Sequence, residues 1–149
     1  MPRRLRPTAP TAAAAVLVGD PGRALLLAQE LLEEPKMSNH ARGLWGYSGQ
    51  TPGGEALTIQ STGMGGPSAA VVLTDLAKLG VRQAVRIGTG AAVTAEVAVG
   101  EMLVVEGARA EGASAAAFGL AAGEVAWPDH ELSRRLRQKL DGAAREAAI

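Results

Sequence analysis

The 149-residue chain has no cysteine, which excludes disulfides, thiolate zinc sites and a cysteine nucleophile. Aromatics are scarce too: two Trp, one Tyr and one Phe. A core must therefore be built from Val, Leu, Ile and Ala. Neither charge sign is in excess, since 15 basic and 15 acidic residues cancel. No long-range field argues for nucleic acid or a membrane surface. Two histidines in different contexts argue against a histidine-based metal cluster. No apolar run approaches the ~20 residues of a transmembrane helix. The basic N-terminus followed by Ala12–Val18 mimics a signal peptide, but the run is short and leads into Gly19-Asp20-Pro21 rather than a small-residue cleavage site. A cytoplasmic protein is expected.

What is present fits one domain spanning residues 1–149, with 47% apolar residues to fill a core. Ala13–Val18, stopped by Gly-Asp-Pro, has the profile of a buried strand. Asp20 and Pro21 then open a helix in which Ala24, Leu25, Leu27, Ala28, Leu31 and Leu32 repeat at helical spacing. Leu44–Gly49 and Glu55–Ser61 flank Thr-Pro-Gly-Gly and read as a hairpin. Ala69–Leu79 is helical and ends at Gly80. Gln83–Ile87 and Met102–Glu106 read as strands, and Asp129 caps a helix with a Leu132, Leu136, Leu140 stripe. Ala108–Gly123 carries no clear period, and the chain stops in or just after that last helix. The order predicts an α/β sandwich with a mixed sheet, apparently unfinished at its C-terminus.

Three short stretches carry chemistry. In Val16–Ala24 a strand delivers Gly19 to a helix N-terminus, where free N–H groups favour an anion and Arg23 can add a full charge. The same turn can equally cap a helix with Arg23 in solvent. In Val85–Val93, Arg86 lies within an apolar strand, where an unpaired buried charge costs several kcal/mol. Its side chain either emerges at an edge or meets an anion at the Gly88-Thr89-Gly90 turn, and ligands favour such carboxyl ends of strands. Arg42 is a third basic residue beside a glycine; His40 has no orienting acid nearby and reads as a loop residue, and His130, in the capping region of the last helix, reads as structural. The third stretch, Ser61–Ala70 (STGMGGPSAA), lacks the Gly-Lys-Ser/Thr of a Walker loop and the spacing of a dinucleotide loop. It offers close backbone approach and an exposed Met64 thioether.

Together these pieces resemble the nucleoside phosphorylase family of bacterial hexameric purine nucleoside phosphorylases and uridine phosphorylases. The carriers are Ser61-Thr62-Gly63-Met64-Gly65-Gly66-Pro67-Ser68 with Val71 and Asp75-Leu76, the Gly19-Asp20-Pro21-x-Arg23 turn, Asn39-x-x-Arg42-Gly43, and the Arg86-Ile87-Gly88-Thr89 strand end. The resemblance implies a three-layer α/β/α sandwich and phosphorolysis of a purine or pyrimidine nucleoside to ribose 1-phosphate and free base. It also implies phosphate held by Gly19, Arg23, Arg86 and Thr89, with Arg86 catalytic, and Met64 packed on the ribose. Arg42 would be lent to a neighbouring subunit within a homodimer-based hexamer. Inorganic phosphate is then a co-substrate, and no metal or organic cofactor, nucleic acid or membrane partner is implied.

Three departures qualify that reading. Arg4 stands about where the family has a histidine for the sugar 5′-hydroxyl. Ala91 replaces a usual glycine, at a cost of about 1 kcal/mol if the position needs positive φ. The family's Glu-Met-Glu segment and base-binding groups are not among the 149 residues, so this N-terminal portion alone is expected to be inactive. A nucleosidase of the same fold, or an inactive remnant that binds phosphate or oligomerises, are the alternatives.

Overall fold

A computed structural model describes residues 4–140 and 142–149. They group into two compact units, the first ending at Thr89 and the second running Gly90–Ile149. The first holds β1 (Ala14–Val18), α1 (Pro21–Leu31), β2 (Glu33–Asn39), a short 3-10 turn (Ala41–Gly43), β3 (Gly46–Gln50), β4 (Ala56–Ser61), α2 (Gly65–Lys78) and β5 (Gln83–Arg86). Its sheet has the order β2-β3-β4-β1-β5. Strand β1 pairs in parallel with β4 and β5, whereas β2-β3 and β3-β4 are antiparallel. The expected mixed sheet is therefore present.

Alternation along β1 distributes its side chains to two helical layers. Ala15 and Leu17 join Val72 and Leu76 of α2 in one buried cluster. Val18 joins Ala24 and Ala28 of α1, with Tyr47 and Ile59, in the other. The small Ala24 and Ala28, four residues apart and fully buried, bring α1 close to β3 and β4. This unit is an α/β/α sandwich.

The start of α1 and the end of α2 follow the capping rules. Asp20 accepts the Arg23 N–H at 2.8 Å as the α1 N-cap, with Pro21 in the first turn. Gly80, at φ +104°, follows the last turn of α2 as its left-handed stop. Before α1, the segment from Arg4 to Ala12 is tied down by side chains. Asp75 Oδ2 accepts the Arg4 and Leu5 N–H groups, Asn39 Oδ1 accepts that of Arg6, and Thr58 Oγ1 accepts that of Ala12.

The second unit contains β6 (Leu103–Arg109), α3 (Gly112–Ala116), β7 (Val125–Ala126), α4 (His130–Leu140) and β8 (Arg145–Ala148), with sheet order β7-β6-β8. Asp129 caps α4 through the Leu132 N–H at 2.8 Å. Several elements differ from expectation. Strand β2 is added at the edge of the first sheet; α2 starts at Gly65 rather than Ala69; α3 lies within the ambiguous Ala108–Gly123 stretch; and the chain ends on β8. β8 pairs in parallel with β6, so ladder hydrogen bonds override the helical preference of an Ala-rich segment. Among the described residues no helix is long and apolar enough to cross a membrane.

Candidate functional site

Because β1, β4 and β5 run parallel, their carboxyl ends share one edge of the first sheet. Val18 is level with Ser61, and Leu17 with Arg86. The Thr62 N–H bonds to Val18 O at 2.7 Å and the Ile87 N–H to Leu17 O at 2.8 Å, which carries this alignment past the strands into the turns. Three turns thus stand side by side: Gly19-Asp20, Thr62-Gly63-Met64, and Ile87-Gly88-Thr89. Two of them lead directly into helix N-termini, whose free N–H groups and dipoles favour an anion.

Gly19 and Gly63 are close enough that a Cβ on Gly19 would lie 3.7 Å from Gly63 O. Gly63 itself, at φ +70°, has no room for a side chain. A Cβ there would come within 2.6 Å of Ser68 Oγ and 3.2 Å of Leu44 Cδ2. Ser68 Oγ in turn donates to Thr62 O at 2.7 Å, pinning the corner to the first turn of α2. The same corner leaves Met64 93% exposed, so its thioether is offered to whatever occupies the edge.

The arginines reach this edge from different elements. Arg23 sits half-buried in the first turn of α1. Arg86 ends β5, and its guanidinium folds over Gly88, where a Cβ would meet Nη1 at 2.5 Å. β5 is the edge strand, and Arg86 is exposed. Its side chain emerges at that edge, so no burial cost attaches to the charge. Thr89 is exposed just beyond. Among the described residues Arg23, Arg42 and Arg86 meet no carboxylate. Three unpaired guanidinium groups are available to an anion.

Arg42 reaches the same edge by another route. β3 is antiparallel to β4, with Gly46 level with Gln60, so the turn before β3 lies at the carboxyl end of β4. Arg42 is exposed on that turn with φ +61°, in the left-handed region that side chains avoid. Two further positions settle in the structure. Ala91 does not have positive φ, so the substitution there carries no conformational cost. Arg4, at the place of the expected histidine, is anchored through its backbone N–H to Asp75.

One buried group had no signal in the sequence. The Ser61 hydroxyl, at the end of β4, is buried without a hydrogen-bond partner among the described residues. Serine in a strand end is too common for its type to single it out.

Comparison with known proteins shows the family and the fold. Residues 13–149 match the model of the Phosphorylase superfamily. A DeoD-type purine nucleoside phosphorylase of Oceanobacillus iheyensis is 40% identical over 94 residues, 62% of this chain and 40% of that protein. A uridine phosphorylase of Haemophilus influenzae is 37% identical over 101 residues, 67% of this chain and 39% of its own length. The crystal structure of uridine phosphorylase from Vibrio fischeri superposes with a TM-score of 0.82 at 22% identity, covering 91% of this chain and 56% of that one. The chain thus spans about 40% of the length of these curated relatives. A family match over nearly its whole length, on a sheet edge of the kind described, makes this chain a member of the phosphorylase superfamily.

Proposed function

We propose that the chain supplies the phosphate-holding side of a nucleoside phosphorylase site and part of the ribose-facing side. The observation that carries this is the convergence of three parallel strand ends, two helix N-termini and unpaired arginines on one sheet edge. In this reading the Gly19 N–H, Arg23, Arg86 and Thr89 bind inorganic phosphate, Met64 packs on the ribose, and Arg42 is lent by a neighbouring subunit of a dimer-based hexamer.

Phosphate then attacks the anomeric carbon as the glycosidic bond to the base breaks. The C–O bond of ribose 1-phosphate forms, and the electron pair of the C–N bond leaves with the base. The protein's share is positioning and electrostatics: the guanidinium groups hold the dianion beside a ribosyl group that develops positive charge. Arg86 is the proposed catalytic contact to the nucleophile. A nucleosidase of the same fold is disfavoured, because a water nucleophile gives three arginines no dianion to hold.

Binding and turnover are separable. Inorganic phosphate titrated into the chain is expected to bind, and absence of binding would sink the reading. Phosphate-dependent release of base from inosine or uridine is expected to be negligible for these 149 residues, which hold no Glu-Met-Glu segment for the ribose hydroxyls. Robust turnover would overturn that part of the proposal.

A further inference from the structure

Arg42 has an unusual local structure for a residue that must present a charge at a fixed place. It and Gly43 are consecutive left-handed residues, at φ +61° and +70°. A non-glycine residue there is held against its preference, and such strain persists only where the surroundings over-determine it. The turn's own bonds are weak, with the Gly43 N–H to His40 O at 3.3 Å and the Leu44 N–H to Ala41 O at 3.2 Å. Something else must hold it.

The holder is Asn39, 1% exposed at the end of β2. Its Nδ2 donates chiefly to Leu44 O, at 2.5 Å, with a longer bond of 3.4 Å to Ala41 O on the other side of the arginine. Its Oδ1 accepts the Arg6 N–H at 2.8 Å, so the same amide fastens the N-terminal segment to the turn. Gln60 Nε2 adds a second buried donor to Leu44 O at 2.9 Å. We infer that Asn39 is a positioning residue: its amide locks the left-handed turn and so fixes where Arg42 presents its charge to an anion. This rests on the proposed role of Arg42 in phosphate binding.

Asn39→Asp is the discriminating variant. It keeps an acceptor for Arg6 but removes both donors to the turn. Asn39→Ser, neutral and smaller, carries the same test should the aspartate variant fail to fold by far-UV circular dichroism. Two readouts are taken on the full chain. First, trypsin cleavage after Arg42 is expected to speed up about tenfold, with cleavage after Arg82 unchanged; an unchanged rate at Arg42 would overturn the inference. Second, inorganic phosphate affinity is expected to fall about tenfold in Asn39→Asp and in Arg42→Ala alike, and the double variant to bind no more weakly than Arg42→Ala. Additive losses would show that Asn39 acts on phosphate by some path other than Arg42, and would overturn the inference. Wild-type chain that binds no phosphate would refute the phosphate reading, and the cleavage rate would still decide whether Asn39 locks the turn.

Discussion

Gly63 and Gly65 stand two residues apart in one corner, both with positive φ, yet they answer to different constraints. A Cβ on Gly65 would meet nothing closer than Pro67 Cδ at 3.8 Å, whereas on Gly63 it would strike Ser68 Oγ at 2.6 Å. Gly65→Ala is therefore expected to cost about 1 kcal/mol, the conformational term alone. Gly63→Ala is expected to cost about 3 kcal/mol, since it also breaks the Ser68–Thr62 bond and crowds Leu44. Urea unfolding of the two variants checks the difference; equal costs would contradict it. The glycine spacing and Met64 were readable as a strand-to-helix corner. The left-handed arginine was not, because φ at Arg42 is imposed by Asn39 and Gln60, and neither announces that role by residue type.

At the scale of elements, the apolar parts were the legible ones. β1, α1 and α2 follow from periodicity and caps, since each buries a face in one of two clusters. β2 escaped because Glu33-Glu34-Pro35-Lys36 offers no apolar alternation, and it pairs with β3 through an irregular register. A polar, bulged edge strand is held by its neighbour and carries little pattern of its own. The segment from Arg4 to Ala12 is likewise held by partners far away in sequence, with Asp75 the buried anchor. Asp75→Ala removes the carboxylate that accepts the Arg4 and Leu5 N–H groups. It is expected to cost about 2 kcal/mol and to speed amide hydrogen exchange at Leu5. Exchange at Leu5 as slow as in the wild type would contradict this.

At the scale of the molecule, a mixed sheet was expected from element order and the α/β/α layering from the family resemblance; the parallel strand ends place the candidate site. Which arginine faces which anion was legible only through family resemblance, because exposed guanidinium groups carry no local pattern. Arg86 shows why: an apolar-looking strand with one charge is a sheet-edge strand in the structure, and the burial puzzle dissolves. If Arg42 serves a neighbouring subunit, mixing Arg42→Ala chains with Arg86→Ala chains rebuilds native sites, each pairing the Arg86 of one chain with the Arg42 of the other. Recovery of wild-type phosphate affinity in a fraction of sites is expected, and no recovery would place Arg42 in its own chain's site. The most direct test of the central claim is calorimetric titration of inorganic phosphate into the wild-type chain and Arg86→Ala at constant ionic strength. The account predicts binding by the wild type and a loss of tenfold or more in the variant, about 1.5–3 kcal/mol for charge-assisted bonds. Equal affinity in the two proteins, or no binding by the wild type, would contradict it.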